Sequence, residues 1–220
     1  MKKFGSAVIL AGGLSSRMGF DKQFMEIGDT VLSRFLASVL SEEFEDVIIV
    51  TNRPECYENV GPRIVSDIIP GKGPLSGIHS GLTHSSSEYA YFIACDMPNL
   101  SLSYVRYLKS RMARGSHEAC VARAGEWIEP FHSFFARGAI RRIEQYLERD
   151  RRSVYHLLGA LDTLYLKESE IEEFNRGGRL FANLNTRQEL EAFVAELPEG
   201  ILSHAGVDGH AGRELFAACG

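Results

Sequence analysis

Three polar clusters within the first hundred residues carry residue types that suit phosphate chemistry. The first is Leu10-Ala11-Gly12-Gly13-Leu14-Ser15-Ser16-Arg17-Met18-Gly19-Phe20-Asp21-Lys22. Glycines at 12 and 13 let the backbone approach a phosphate and present N–H groups to it. Arg17 and Lys22 add the positive charge that a departing pyrophosphate needs. The loop has neither the G-x-x-x-x-G-K-[ST] of a Walker A site nor the G-x-G-x-x-G of a dinucleotide site. The second cluster is Asp67 followed by Pro70-Gly71-Lys72-Gly73-Pro74-Leu75-Ser76-Gly77. Its glycines and prolines shape a loop feeding a helix N-terminus, a natural seat for an anion or a polar ring. In the third, Asp96 ends an apolar run and precedes Met97-Pro98. A carboxylate at the end of a buried strand is costly unless paired or bound to a cation. Magnesium takes one or two carboxylates together with substrate phosphates, and Asp96 fits that role. Taken singly, the clusters also read as a Gly-rich turn, a surface turn before a helix and a loop cap.

The elements that must position them alternate in type. Residues 7–10 are almost continuously apolar, as a central strand buried on both faces requires. A helix is expected over residues 30–40, with Val31, Leu32, Phe35, Leu36, Val39 and Leu40 repeating on one face. Strands follow at 47–51 and 64–65, a helix at 74–82 with Pro74 in its first turn, and a strand at 89–95. Ser101 is the expected N-cap of a helix reaching residue 112. Further on, residues 118–122 read as a strand, 137–147 as a helix, 163–166 and 180–184 as strands, and 186–196 as a closing helix. This rhythm predicts an α/β fold with a doubly wound, mostly parallel sheet in three α/β/α layers. In such sheets ligands bind beyond the carboxyl ends of the strands, where all three clusters fall. One domain over residues 1–197 is expected, with 198–220 a loosely attached extension.

Bulk properties narrow the classes. A formal net charge of -5 over 220 residues argues against a nonspecific nucleic-acid binder, yet leaves room for a local basic pocket. The four cysteines form no C-x-x-C pair, so they read as small buried residues of a reducing compartment. The histidines lack H-x-x-x-H or H-E-x-x-H spacing, which excludes the usual histidine metal sites. The first apolar run, at four residues, is too short for a signal peptide or a membrane span, making the cytoplasm the expected location. Trp127, between Glu126 and Glu129, reads either as a substrate contact or as an edge-strand residue. Arg149 to Arg152 read as a surface run or an anion seat, and residues 168–173 as a solvated face.

L-A-G-G-x-S-S-R-M-G-x-D-K at 10–22, D-x-x-P-G-K-G-P-L-S-G at 67–77, C-D-M-P at 95–98 and N-L-N-T at 183–186 together resemble the molybdenum cofactor guanylyltransferases. The resemblance spans residues 4 to about 196. It implies a single Rossmann-like nucleotidyltransferase domain that joins GMP from GTP to molybdenum-bearing molybdopterin, releasing pyrophosphate with the help of Mg2+. It further implies that Leu10, Ala11, Gly12 and Gly13 hold the nucleotide, with Lys22 on its phosphates. Asn52 and Asp67 would contact the nucleoside and Asp96 the metal, while Arg17, Gly73, Gly77, Asn183 and Asn185 would serve the acceptor side or the reaction centre. The implied partners are GTP and molybdopterin, with transient contact with other cofactor-biosynthesis proteins. A monomer or weak homo-oligomer is expected, with neither nucleic acid nor membrane involved. The 127–131 segment follows the family pattern of the pterin-facing region only loosely, so the resemblance assigns no acceptor contact there. A CTP-using enzyme on the same fold and a noncatalytic nucleotide binder are the alternatives. Gly13 favours guanine, because cytidylyl relatives tend to read L-A-A-G there. Retention of Arg17, Lys22 and Asp96 favours turnover.

Overall fold

The computed structural model describes residues 1–12, 22–27, 30–57 and 61–197. Gly13, Arg17 and the 198–220 extension lie outside the described residues, as does the side chain of Lys22. Nine strands are described: β1 (Ser6–Leu10), β2 (Glu26–Ile27), β3 (Thr30–Val31), β4 (Asp46–Val50), β5 (Arg63–Val65), β6 (Tyr89–Ala94), β7 (Ala119–Ala124), β8 (Trp127–Ala136) and β9 (Thr163–Lys167). The helices are α1 (Leu32–Leu40), α2 (Pro74–His84), α3 (Leu102–Met112), α4 (Ile140–Glu148), α5 (Val154–Ala160), α6 (Glu168–Ile171) and α7 (Arg187–Glu196).

Seven strands form one sheet in the order β5-β4-β1-β6-β8-β7-β9, and β2-β3 make a separate two-stranded ribbon. β5, β4, β1 and β6 run parallel, as do β7 and β9, while β8 is antiparallel to both of its neighbours. β1 sits at the centre, with Val8 opposite Ile48 on one side and Phe92 on the other. Its residues alternate between two cores. Ala7 and Ile9 pack with Leu36, Leu40, Tyr104 and Leu108 from α1 and α3. Val8 packs with Ile78 and Leu82 of α2 and Ile143 of α4. Burial on both faces is why the strand reads as an unbroken apolar run.

α2 approaches the sheet closely because two glycines, one turn apart, face it. A Cβ on Gly81 would lie 2.7 Å from Val8 Cγ1 and 2.8 Å from Phe92 Cε1. A Cβ on Gly77 would lie 2.8 Å from Leu10 Cδ2. The expected cap of α3 is present, with Ser101 Oγ accepting from the Tyr104 amide at 3.2 Å. α7 opens on a reciprocal box in which Thr186 Oγ1 accepts from the Glu189 amide at 3.1 Å and Glu189 Oε2 from the Thr186 amide at 2.8 Å.

Several expectations need correction. Residues 180–184 do not form a strand. Leu180 and Leu184 are buried, but the Leu180 amide donates to Asn175 Oδ1 at 3.0 Å and the Leu184 amide to the Asp96 carbonyl at 2.7 Å. With those donors engaged, the segment straps the end of β6 and adds nothing to the sheet. The expected helix over 30–40 begins two residues later, after β3, and that over 137–147 starts as a 3-10 turn at Arg137–Ala139. β8 and α5 were not anticipated. β8 is broken by a wide bulge: Cys120 pairs with Phe134 and Ala122 with Glu129, so two steps on β7 oppose five on β8. Pro130 is tolerated there because bulged residues owe no ladder hydrogen bond. In the bulge His132 takes a left-handed φ of 71°. Cys95 and Cys120 are buried, and burial pushes the Cys120 thiol up to about 12.

Candidate active site

From β1 the chain moves first to β4 and β5 on one side and then crosses to β6 on the other. The order therefore reverses between β1 and β6, which opens a crevice beyond their carboxyl ends. Leu10 and Ala94 are in register there, so Ala11-Gly12 and Cys95-Asp96 leave the sheet side by side. The Ala11 amide donates to the Val50 carbonyl at 2.8 Å and the Cys95 amide to the Leu10 carbonyl at 3.1 Å, extending both strands before they diverge. Gly12 is exposed, and a Cβ there would lie 3.1 Å from Asn52 Nδ2. The amide of Asn52 thus lies against Gly12, as expected for two parts of one ligand wall.

A buried polar network joins this wall to the turn carrying Lys22. The 3-10 turn Lys22–Phe24 contains Gln23, which is buried. Thr51 Oγ1 donates to Gln23 Oε1 at 2.6 Å and accepts from the Arg53 amide at 3.0 Å. Tyr57 Oη donates to the same Oε1 at 3.3 Å, and Ser33 Oγ donates to the Gln23 carbonyl at 3.2 Å. The backbone of Lys22 is thereby pinned beside the end of β4. Sequence reasoning passed over Gln23. The available signal was an amide between the motif lysine and Phe24-Met25, in a stretch otherwise bound for the core.

Asp67 follows β5 and is half-buried; burial raises its carboxyl above the usual range, opposed by nearby His79. The Cβ position of Gly77 lies 4.0 Å from Asp67 Oδ1, so this carboxylate faces the first turns of α2. The intervening loop needs its glycines, since Gly71 and Gly73 have φ of 78° and 71°. Lys72 Nζ donates to Asp150 Oδ1 at 2.7 Å. Asp150 also receives Arg152 Nε at 3.0 Å. The Lys72 and Arg152 contacts hold the Asp150 carboxyl below its usual range. The basic run at 149–152 is therefore tied to the loop that precedes α2.

Asp96 is partly exposed at the end of β6. Its carbonyl holds the Leu184 amide, which brings Asn183 and Asn185 to the same rim; both are exposed. Asn185 Nδ2 donates to the Asn183 carbonyl at 3.4 Å. On the far side stands Glu129, which sequence reasoning did not assign. It is only 7% exposed, its Oε1 accepts from the Phe131 amide at 2.9 Å, and it has no ion pair among the described residues. Burial, joined by the neighbouring Asp96 charge, pushes its carboxyl up to about 7. His132 is fully buried; burial pushes it down to about 3, leaving a neutral ring whose Nδ1 lies 2.9 Å from Tyr91 Oη. Among the described residues no group of three His, Cys, Asp or Glu can hold a metal.

The structure thus gathers Leu10, Ala11, Gly12, Asn52, Asp67, Asp96, Asn183 and Asn185 at one end of the sheet. Gly73 shapes the entry to α2. Gly77 packs that helix onto Leu10. The MobA-like NTP transferase domain model matches residues 7–164. The chain belongs to this family. A probable molybdenum cofactor guanylyltransferase of Peptoclostridium acidaminophilum is 47% identical over 197 residues, covering 87% of this chain and 89% of the relative. The molybdenum cofactor guanylyltransferase of Syntrophotalea carbinolica is 44% identical over 203 residues, covering 92% and 96%. Solved structures agree on the fold. Molybdopterin-guanine dinucleotide biosynthesis protein A from Archaeoglobus fulgidus superposes with a TM-score of 0.74 at 20% identity over 85% of this chain and 95% of that one. The 2-C-methyl-D-erythritol 4-phosphate cytidylyltransferase from Thermus thermophilus gives 0.61 at 13% identity, over 86% and 96%. As a MobA-like NTP transferase, the chain is a nucleotidyltransferase with a mostly parallel sheet. Among the described residues no helix is long and apolar enough to cross a membrane.

Proposed function

We propose that this MobA-like transferase joins GMP from GTP to molybdopterin carrying molybdenum, releasing pyrophosphate, in the cytoplasm. One observation carries the reading: Gly12, the Asn52 amide and the carboxylates of Asp67 and Asp96 follow four different strand ends around the β1–β6 crevice. Ala11 and Gly12 form a backbone wall, and Asn52 and Asp67 offer the polar partners a purine nucleoside needs. The chemistry is a displacement at phosphorus. An oxygen of the acceptor phosphate bonds to the α-phosphorus of GTP while the bond to the β-phosphate oxygen breaks and pyrophosphate departs. The attacking group is already anionic, so alignment and charge neutralisation matter more than a strong base. Lys22, on the turn pinned by Gln23, and Arg17 are assigned to the phosphates.

Asp96 is the assigned magnesium residue. Magnesium needs only one or two protein carboxylates beside phosphates and water, so Asp96 would suffice to hold it here. When bound, it supplies charge neutralisation at the phosphates. Asn183 and Asn185, held to the Asp96 backbone through Leu184, are assigned to the acceptor side.

Pyrophosphate release measured with GTP and with CTP in parallel, each with molybdopterin and magnesium, tests the reading. GTP is expected to support release and Asp96→Ala to abolish it. Release with CTP alone would overturn the guanylyl assignment, and no release with either nucleotide would overturn the transferase reading.

A further inference from the structure

β8 runs antiparallel to β6, so its first residues lie at the carboxyl end of β6, beside Asp96. Trp127 and Glu129 are two residues apart on this strand and share the face that looks toward Phe181 and Asp96, while Ile128 packs into the opposite core. Trp127 is 45% exposed, although its ring lies against buried Phe181 with centroids 5.4 Å apart. It is a supported platform with nearly half its surface open. Glu129 is the reverse case, a carboxylate taken out of water with one backbone donor on one oxygen. A buried carboxylate with so few partners costs stability unless a ligand completes it. Neither residue is used by the nucleotide wall, which lies toward β4 and β5.

Resting on the functional reading above, we propose that the pterin ring system of the acceptor stacks on Trp127 and directs its 2-aminopyrimidinone edge to Glu129. That edge carries a ring N–H beside an exocyclic amino group. Two parallel donors match the two oxygens of one carboxylate, and a flat heterocycle matches an indole face. Guanine presents the same edge, so each ring needs its own carboxylate: Asp67 stands on the β5 side of Asp96 and Glu129 on the β8 side. The wide bulge at residues 130–133 has a purpose in this arrangement. It lets β8 regain its pairing with β7 at Glu129 while the Phe131 amide turns back to hold the carboxylate.

The test uses the intact chain in steady-state GMP transfer and in direct binding of neopterin, a soluble pterin. Trp127 is the sole tryptophan, so its emission reports the site without a label. Glu129→Gln and Trp127→Ala are each expected to raise the molybdopterin KM about tenfold or more while leaving the GTP KM within about twofold. Neopterin is expected to quench Trp127 saturably, with about tenfold weaker binding in Glu129→Gln. An unchanged molybdopterin KM in both variants would overturn the inference. A rise in the GTP KM instead would place guanine at Glu129 and overturn it equally. A wild-type chain that quenches with neopterin but transfers no GMP would sink the functional reading and leave the pterin seat standing. Absence of saturable quenching would remove the seat.

Discussion

Gly81→Ala and Gly77→Ala place the same methyl group on the same helix one turn apart, and the structure assigns them different consequences. At Gly81 the new carbon meets three atoms of fully buried side chains: Val8 Cγ1 at 2.7 Å, Phe92 Cε1 at 2.8 Å and Val8 Cγ2 at 3.0 Å. Ordinary contact begins near 3.4 Å, so α2 or β1 must move by several tenths of an ångström. Neither obstacle can swing away. Val8 is β-branched with few rotamers, and Phe92 is set edge-on against Phe135 at 5.5 Å. Overpacking of this kind costs about 3 kcal/mol at the upper end, and alanine in place of glycine returns roughly 1 kcal/mol of helix propensity. The net loss of about 2 kcal/mol corresponds to a fall in Tm of roughly 4–8 °C for a chain of this size. At Gly77 the only atom closer than 3.8 Å is Leu10 Cδ2, the far end of a flexible side chain. Stability there is expected to stay within about 1 kcal/mol of the parent, because the propensity gain offsets a rotamer change. Leu10, however, leads into Ala11-Gly12, so the GTP KM is expected to rise. Calorimetry with GTP saturation kinetics separates the cases. A larger Tm loss at Gly77 than at Gly81, or an unshifted Tm in Gly81→Ala, would refute the packing argument.

Gln23→Leu removes the acceptor that Thr51 and Tyr57 share; Tyr57 Oη keeps Ser33 Oγ at 3.1 Å, but the buried Thr51 hydroxyl loses the group it donates to, so a loss of about 1–3 kcal/mol is expected. Because the network pins the Lys22 turn, GTP turnover should fall more than in Gln23→Glu, which keeps an acceptor; equal losses would show a purely structural role. Glu129 is raised from 4.5 to about 7, so it costs stability as pH climbs through that window, by up to about 3 kcal/mol. The Tm advantage of Glu129→Gln in metal-free buffer should therefore grow between pH 5 and about pH 8, and a flat difference would contradict the assigned burial. His132 has the opposite sign. Lowered from 6.5 to about 3, it contributes stability that is present above pH 6.5 and lost as pH falls toward 3, so His132→Gln should flatten the acid limb of a Tm–pH curve. Asp150→Ala releases Lys72 and Arg152 together; both contacts are exposed, so Tm should hardly move, which thermal denaturation checks.

The sequence by itself determined which residues would end the parallel strands. β1 is buried on both faces, and only an unbroken apolar run can serve there, so its end at Leu10 was legible and Ala11-Gly12 fell beyond it. The same reasoning placed Asp67 after β5 and Asp96 after β6, because a charge cannot continue a buried strand. Chain folding decided the rest. The β8 run carries Glu129 at the edge of a bulge and Pro130 within it, which destroys the alternation that identifies a strand. Residues 180–184 have the apolar pattern of a strand, yet their amides are claimed by Asn175 and by the Asp96 carbonyl. Gln23 and Glu129 are polar residues whose burial depends on what packs over them from distant segments. Hydrophobic pattern reports how much of a residue is shielded on average. Which donor meets which acceptor, and which carboxylate is left with an open oxygen, is fixed only when strands far apart in the chain are brought into register.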